Sequence, residues 1–486
     1  MSYDTRLATP GTSPLGRRWA LAFLILALAC FRLCHLRLLW ADEDYHLAAA
    51  IHLLHGKIPY RDFWYDKPPL CAVYYLFIGG FAGWPLRLFD AAYVCLACWL
   101  IYRLARSLWT EAEGSAAALL LAFFLAFYLP SAVIPFAADA ILLVPHLAAV
   151  YYAQAKSPFR AGLYGGIGFL ANTKALFVLA SCALFLPSGI PLLLLGFAAP
   201  AVLAWIGALA TGATAGYYEQ VWRWGLIYAA QSPVTRPLVN GIVRTADWLG
   251  FHAAIGAGAV FAFVRLPTAE RAKLGAWLAL SFAAAAIGWR FAPHYFLQVL
   301  PALVVLAARG AVLALHQFRK VAAVALALLL LAPFIRFGPR YAMLAYDAIL
   351  KREPHWIDVG MDLDSQEVSR KILAVRRPGD TLFVWGYRPD VYVYTRMISD
   401  GLFWDSQPLT GVPADRHLHA QDAIYGGPAA LNRQKLTRTK PAYLVDGLGL
   451  LNPRLAPENY SDLQPWLAHY KLIARTKLSL IYRRTY

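Results

Sequence analysis

Charge is scarce in this chain of 486 residues, because Asp, Glu, Lys and Arg make up only 15% of it. Hydrophobic residues make up 59%, and several apolar stretches approach the roughly 20 residues that an α-helix needs to cross a bilayer. This composition argues against a soluble protein and predicts a polytopic α-helical membrane protein.

Cysteine is also sparse, and none of the six cysteines lies beyond Cys182. They fall mostly within apolar runs, so we predict neither a disulfide framework nor a zinc ribbon.

Acidic residues are outnumbered, with 28 Asp and Glu against 45 Lys and Arg. In a membrane protein positive loops fix orientation, so the net charge of +17 does not indicate nucleic-acid binding.

The N-terminal sequence resembles a signal peptide, since Arg17 and Arg18 precede an apolar run. The run continues to Trp40, however, and we interpret it as an uncleaved first span after a disordered cytoplasmic segment, residues 1–17. The predicted spans are 19–40, 85–108, 114–131, 140–156, 160–173, 175–187, 190–212, 247–264, 275–289, 295–313 and 321–338. Basic clusters fall on alternate loops, which places the C-terminus outside.

A change in composition near Arg340 indicates a second domain. The strand-like runs "TLFVWG", "AYLVDG" and "KLSLIYR" alternate there with helical stretches and turns. We therefore predict a transmembrane domain over residues 18–339 and an external α/β domain over residues 340–486.

The first external loop is unusually acidic. Residues 1–339 hold 13 acids, and five of them lie in this loop: Asp42, Glu43, Asp44, Asp62 and Asp66. Its apolar segments are too short to span a bilayer and suit helices at the membrane surface. The acids either face a site at that surface or cap the helix that follows them.

Other charged residues are predicted at the same level. Asp139 is the only acid between Glu113 and Glu219, and an ionisable group at the end of a span is a functional candidate unless it only caps the helix. Basic residues also gather outside, against the orientation rule: Lys67, Lys174, Arg223, Arg236, Arg244 and Arg290. Such a set could bind a phosphate.

Carboxylates and cations at a membrane surface suit glycosyl transfer from a lipid-linked sugar. A carboxylate takes the proton of an acceptor hydroxyl, while Lys and Arg stabilise the departing lipid phosphate. A transporter or flippase of the same lipid would also need external cations, but would place ionisable groups near the middle of the membrane. A receptor with a sensor domain leaves the clustered acids unexplained.

The sequence resembles the GT-C glycosyltransferases of the protein mannosyltransferase and aminoarabinose transferase group. The resemblance rests on "ADEDYHLAAAIHLLHGKIPYRDFWYDKPPL", "PLRLFDAAYVCLACWLIYRLARSLW", "AADAILL", "GFLANTKALF" and "RFAPHYFLQVLPAL", in this order. It implies an inverting transferase that uses a polyprenyl-phosphate sugar, with Asp42 as base beside Glu43. It also implies that Lys67 contacts the donor phosphate and that Asp139 positions a substrate. The neighbouring Asp44 leaves the register of the base ambiguous.

These arguments predict a site made of many residues. The predicted catalytic residues are Asp42, Glu43 and Asp139, and the predicted substrate-binding residues are Asp44, Lys67, Lys174, Arg223, Arg244, Arg290, His294 and Tyr295. No metal site is predicted, since of His46, His52 and His55 only the last two share a helix face. No cofactor is firmly implied, and a divalent cation stays open.

The predicted partners are a polyprenyl-phosphate sugar, a glycan, lipid or protein acceptor, and membrane lipids, without nucleic acid. The predicted location is a bacterial inner membrane, with the site and the C-terminal domain on the periplasmic or extracellular side.

Overall fold

The computed structural model describes residues 14–128, 135–230, 234–354, 356, 359–413, 415 and 422–485. Residues 1–13 of the predicted disordered segment 1–17 lie outside the described residues. The last four residues of that segment belong to a helix that begins at Pro14. The helices of the N-terminal region are α1 (Pro14–Leu33), α2 (Glu43–Leu54), α3 (Leu70–Leu76), α4 (Trp84–Leu108), α5 (Glu111–Ala126), α6 (Ala138–Gln154), α7 (Pro158–Phe169), α8 (Ala175–Phe185), α9 (Ile190–Ala210), α10 (Thr214–Tyr217), α11 (Trp224–Ala230), α12 (Pro237–Phe251), α13 (Ala253–Phe263), α14 (Thr268–Ala286), α15 (Leu300–Gln317) and α16 (Arg319–Ile349).

A helix occurs at each of the predicted spans, but several bounds differ from the prediction. The first helix ends at Leu33, before Trp40, and the predicted span 247–264 is broken into α12 and α13, which meet at an angle of 94°. Within the described residues, four helices are long and apolar enough to cross a membrane, or five if the bent pair counts as one span. The total number of spans therefore stays a prediction.

Small residues allow the helices to pack closely. A Cβ atom added to Gly162 of α7 would lie 1.9 Å from the carbonyl oxygen of Leu193 in α9, and one added to Gly196 would lie 2.2 Å from that of Phe159. Only glycine fits at such approaches, so these two positions fix how α7 and α9 pack.

The C-terminal region is a small α/β unit. It contains helices α17 (Gly360–Leu373), α18 (Asp390–Thr395), α19 (Gln407–Thr410), α20 (Gly426–Leu436) and α21 (Gln464–Leu467), and strands β1 (Leu382–Trp385), β2 (Tyr443–Asp446), β3 (Tyr470–Arg475) and β4 (Leu480–Arg484). The strand order is β1-β2-β4-β3, with β1 and β2 parallel and the other pairs antiparallel. Helix α16 continues to Ile349, so the domain boundary predicted after residue 339 falls inside a helix.

The loop between α1 and α4, predicted above to be the first external loop, contacts the C-terminal region. The backbone nitrogen of Ser399 donates to Nε2 of His52 at 3.0 Å, and the backbone nitrogen of Trp64 donates to the carbonyl of Leu402 at 2.5 Å. The rings of Tyr45 and Trp404 pack 4.9 Å apart. These contacts fix the position of α2 against the C-terminal region.

Two buried acids are expected to make the stability of the C-terminal region depend on pH. Burial, reinforced by the charge of Asp415, raises the pKa of Asp405 to about 8, and burial with the charge of Asp390 raises that of Asp362 to about 7. Both groups bind protons in the folded state that they lose in the unfolded chain above pH ~4. Their stabilising contribution is therefore complete below that pH and is lost as the pH rises through 7 to 8.

We expect the protein to unfold at a lower temperature at pH 8.5 than at pH 6 because of these groups, and Asp405→Asn to reduce that difference. Thermal unfolding of the full-length protein in detergent between these pH values measures the effect. Asp422→Asn is the control, because that side chain is 96% exposed. An Asp405→Asn variant with the pH dependence of the wild type would contradict the argument.

Candidate functional site

A cavity of about 440 Å³ lies where the first external loop, several helix ends and the C-terminal region meet. Its charged, polar and aromatic lining residues are Asp42, His46, Asp66, Lys67, Asp139, Asn172, Thr173, Lys174, Tyr228, Arg290, His294, Tyr295, Tyr387 and Gln407. Seven of the predicted site residues line it: Asp42, Lys67, Asp139, Lys174, Arg290, His294 and Tyr295. The fold thus brings together residues that are up to 253 positions apart in sequence.

Asp42 immediately precedes α2 and has a strained backbone, with φ at 78° and ψ at −40°. Non-glycine residues rarely adopt such a conformation, and strain of this kind tends to persist at functional sites. The hydroxyl of Tyr387 lies 3.4 Å from Oδ1 of Asp42 and donates to it. Within the described ranges, the Asp42 carboxylate has no ion-pair partner.

Arg290 also lines the cavity and lies in a strained segment. Its neighbours Trp289 and Phe291 have φ values of 57° and 47°, and its guanidinium lies 3.7 Å from the ring centroid of Tyr228. The buried Nη2 of Arg290 has no hydrogen-bond partner among the described residues. Leaving a buried cationic donor unsatisfied is costly, so this geometry favours an anionic ligand at Arg290.

Asp139 organises a cluster at the start of α6. Its Oδ1 accepts from Nζ of Lys174 at 2.9 Å and from Nδ2 of Asn172 at 3.0 Å, and its Oδ2 lies 3.8 Å from Nε2 of His294. The ammonium of Lys174 also lies 3.4 Å from the ring centroid of Tyr295. With its oxygens so occupied, Asp139 is better placed to orient Lys174 and His294 than to accept a proton.

Lys67 forms the third cationic position. Its Nζ contacts Oδ2 of Asp66 at 2.9 Å, and its side chain remains 37% exposed. Asp66 and Asp139 thus each pair with one lysine of the cavity. Asp42 and Arg290 remain as an acid and a cation that the described residues leave without an ion-pair partner.

The other two acids of the triplet, Glu43 and Asp44, lie away from the cavity, and their predicted roles stay predictions. Glu43 is fully buried and forms a two-pronged ion pair with Arg87, at 2.7 and 3.0 Å. It also accepts from the backbone nitrogens of Trp40 and Phe136. Asp44 is buried and accepts from the backbone nitrogen of Tyr45. Neither side chain lines the cavity, because consecutive helix residues point about 100° apart.

Two predicted cationic contacts also lie outside the cavity. Arg223 is exposed and pairs with Glu219, one helical turn away, at 3.0 Å. Arg244 is exposed on α12. Arginine is a residue expected in this part of the chain, which is why both were predicted to bind substrate. The sequence could not show that both side chains point away from the cavity.

The histidines of the first loop have local partners. Nδ1 of His46 contacts the hydroxyl of Tyr65 at 2.6 Å, and Nδ1 of His52 and of His55 each contact the carbonyl four residues earlier at 2.8 Å. In the part of the chain that the structure describes, no three His, Cys, Asp or Glu side chains are grouped as metal ligands. A role for a divalent cation stays a prediction.

Seven of these cavity residues were not predicted as site residues: His46, Asp66, Asn172, Thr173, Tyr228, Tyr387 and Gln407. Asp66 carries a sequence signal, since it belongs to the acidic loop. Tyr387 and Gln407 come from the C-terminal region, and only the packing of that region on α2 reveals them.

Comparison with solved structures shows that other proteins have a similar fold. The crystal structure of ArnT from Cupriavidus metallidurans in the apo state is similar to this chain with a TM-score of 0.59 and 15% identity, covering 96% of this chain and 98% of that one. The structure of the same protein bound to undecaprenyl phosphate gives a TM-score of 0.59 and 14% identity, covering 97% and 98%. The fold of this chain, mostly helical with a small sheet, is therefore similar to that of ArnT.

A family model matches part of the chain. The model described as dolichyl-phosphate-mannose-protein mannosyltransferase matches residues 66–189, which include Lys67, Asp139 and Lys174. No curated protein matches the chain in sequence. The predicted resemblance to the protein mannosyltransferase and aminoarabinose transferase group is confirmed.

Proposed function

We propose that this protein transfers a sugar from a polyprenyl-phosphate donor to an acceptor hydroxyl, with inversion at the anomeric carbon. The proposal rests on the cavity that Asp42 and Arg290 both line, each without an ion-pair partner among the described residues. A transferase needs both groups at once, a base for the acceptor and a cation for the leaving phosphate.

Each group has one task in the proposed reaction. The acceptor oxygen attacks the anomeric carbon, its proton passes to the carboxylate of Asp42, and a new carbon–oxygen bond forms. The bond between the anomeric carbon and the phosphate oxygen breaks, and polyprenyl phosphate leaves with the electron pair. Because attack and departure occur on opposite faces, the configuration inverts.

The cations are arranged to hold the phosphate. Arg290 offers a buried donor, and Lys67 and Lys174 bring two more positive groups to the cavity wall. Asp66 and Asp139 hold these ammonium groups in place at 2.9 Å each. The similar ArnT structure that contains undecaprenyl phosphate supports this class of donor.

The position of the cavity favours a transferase over a flippase. Its residues lie at helix ends and in loops, as at the starts of α6 and α8 and after α14, and not in the middle of membrane-length helices. Ion-coupled transporters place such groups near the middle of the membrane. We further propose that this side is the periplasmic or extracellular face of a bacterial inner membrane, where a glycan, lipid or protein acceptor is available.

The donor class can be tested by binding and turnover of purified full-length protein in detergent. We expect saturable binding of undecaprenyl phosphate and sugar transfer from a panel of undecaprenyl-phosphate sugars to acceptors in a membrane extract. Lys67→Gln should weaken binding about 10-fold, the effect of losing a charged hydrogen bond. Lys57→Gln, in the same loop but outside the cavity, is the matched control. Donor movement across vesicles without transfer would favour the flippase.

Tyr387 is expected to position the base. We expect Tyr387→Phe to lower kcat about 10-fold with little change in the KM for donor, because the variant loses only the hydroxyl that donates to Asp42. Tyr218→Phe is the control, since that side chain is 60% exposed and does not line the cavity. A change in KM alone would assign Tyr387 to donor binding instead.

A further inference from the structure

A second cavity, of about 550 Å³, lies at the other end of α2 from Asp42. Because α2 has 12 residues, the two sites are separated by about 18 Å along the helix. The residues that line it include His55, Leu373, Arg376, Arg377, Asp380 and Arg396. None of them belongs to the site proposed for sugar transfer.

The cavity is strongly basic. Three arginines line it, against one acid, Asp380, whose carboxylate accepts from the backbone nitrogen of Arg377 at 2.8 Å and so closes a turn. Neither Arg376 nor Arg396 forms an ion pair with a carboxylate of the described residues. Burial lowers the pKa of Arg396, the reverse of what an acidic partner does.

Two of the three arginines are held in place by backbone carbonyls. Arg396 donates from Nη1 to Gly80 at 2.5 Å and from Nη2 to Gly79 at 3.2 Å, and Arg376 donates from Nη1 to Thr395 at 3.1 Å. A guanidinium that uses only some of its five donors in this way keeps the others for a ligand. Guanidinium groups bind phosphate through paired hydrogen bonds, so the chemistry of the cavity suits a phosphate.

Apolar side chains surround the basic cavity. Leu54 is 50% exposed, Phe81 55% and Leu373 39%, and the Arg396 guanidinium lies 4.5 Å from the ring centroid of Phe81. A Cβ atom added to Gly80 would lie 3.4 Å from Nη1 of Arg396 and 3.5 Å from Cδ1 of Leu54. The basic and apolar surfaces are therefore continuous.

The cavity lies at the level where a membrane-length helix begins. Helix α4 starts at Trp84, four residues after Gly80, and Trp84 and Phe77 are both exposed. Exposed aromatic residues at the end of a span are typical of the membrane–water interface. A ligand at Arg396 would thus lie next to lipid headgroups.

We propose that this cavity binds the headgroup phosphate of an anionic phospholipid, with an acyl chain against Leu54 and Phe81. Arg376 and Arg396 bind the phosphate, and the apolar rim favours a ligand that carries an acyl chain. The proposal does not depend on the sugar-transfer reaction, and a protein without transferase activity would still bind the lipid.

Binding of dihexanoylphosphatidylglycerol to the full-length protein in detergent tests the proposal. We expect saturable binding that weakens about 10-fold or more in Arg376→Gln/Arg377→Gln. Lys471→Gln/Arg475→Gln removes the same charge from β3, at the opposite edge of the sheet from β1, and should bind as the wild type does. Leu373→Glu, which places a carboxylate in the cavity, provides a second variant and should also weaken binding.

Two comparison ligands identify the source of the phosphate. Dihexanoylphosphatidylcholine, with the same chains and no net charge, should bind at least about 10-fold more weakly than the anionic lipid. Inorganic phosphate should not displace that lipid at equal concentration. If inorganic phosphate displaces the anionic lipid at equal concentration, the cavity is a site for free phosphate and the proposal is wrong. The proposal is also wrong if lipid binding is unchanged in both Arg376→Gln/Arg377→Gln and Leu373→Glu.

Discussion

Asp42→Asn is expected to lower the rate of sugar transfer at least ~10²-fold, the smallest loss typical of removing a general base. Asparagine keeps the shape of the side chain and an oxygen that can accept from Tyr387. It also tolerates a positive φ better than most residues, so the strained backbone at 78° should be retained. The variant therefore removes the proton acceptor with little reason to disturb the fold.

The measurement is transfer from an undecaprenyl-phosphate sugar under single-turnover conditions, with donor binding followed in parallel. Asp62→Asn is the matched control, because Asp62 lies in the same loop, pairs with Arg61 and does not line the cavity. We expect the control to transfer at about the wild-type rate and both proteins to bind donor normally. An Asp42→Asn variant that retains most of its activity would assign the base elsewhere, with Asp66 as the next carboxylate in the cavity.

The positions of helices and of most charged site residues could be predicted because each depends on local sequence. Apolar runs mark helices, and ionisable residues at the ends of those runs, such as Asp139 and Lys174, mark the cavity. Breaks were harder to predict, since the run 247–264 contains no proline to indicate the bend at His252.

The roles within the acidic triplet depend on tertiary contacts. Asp42, Glu43 and Asp44 are neighbours in sequence, yet only Asp42 lines the cavity. The partner that decides the role of Glu43 is Arg87, 44 positions away on α4. In the same way Tyr387 reaches the cavity because the C-terminal region packs on α2, through contacts that join residues 347 positions apart, such as His52 and Ser399. No local pattern carries this information.

The buried pair of Glu43 and Arg87 should therefore stabilise the site without taking part in the chemistry. We expect Arg87→Met to destabilise the protein by about 3–5 kcal/mol, because it leaves the carboxylate of Glu43 buried without its counter-charge. Arg87 also donates to the carbonyls of His35 and Leu38, at 3.2 and 2.7 Å, so the same change would release the segment between α1 and α2 that leads to Asp42.

Denaturant unfolding of the full-length protein in mixed micelles measures this loss, with Arg106→Met as the control. Arg106 lies on the same helix but is exposed, so its replacement should change stability by less than about 0.5 kcal/mol. The double variant Glu43→Leu/Arg87→Met removes both buried charges and should be more stable than Arg87→Met alone, since no unpaired carboxylate remains. If the double variant is as unstable as the sum of its two single changes, the two side chains are not energetically coupled. That result would contradict the interpretation that Glu43 has a structural role through its ion pair with Arg87.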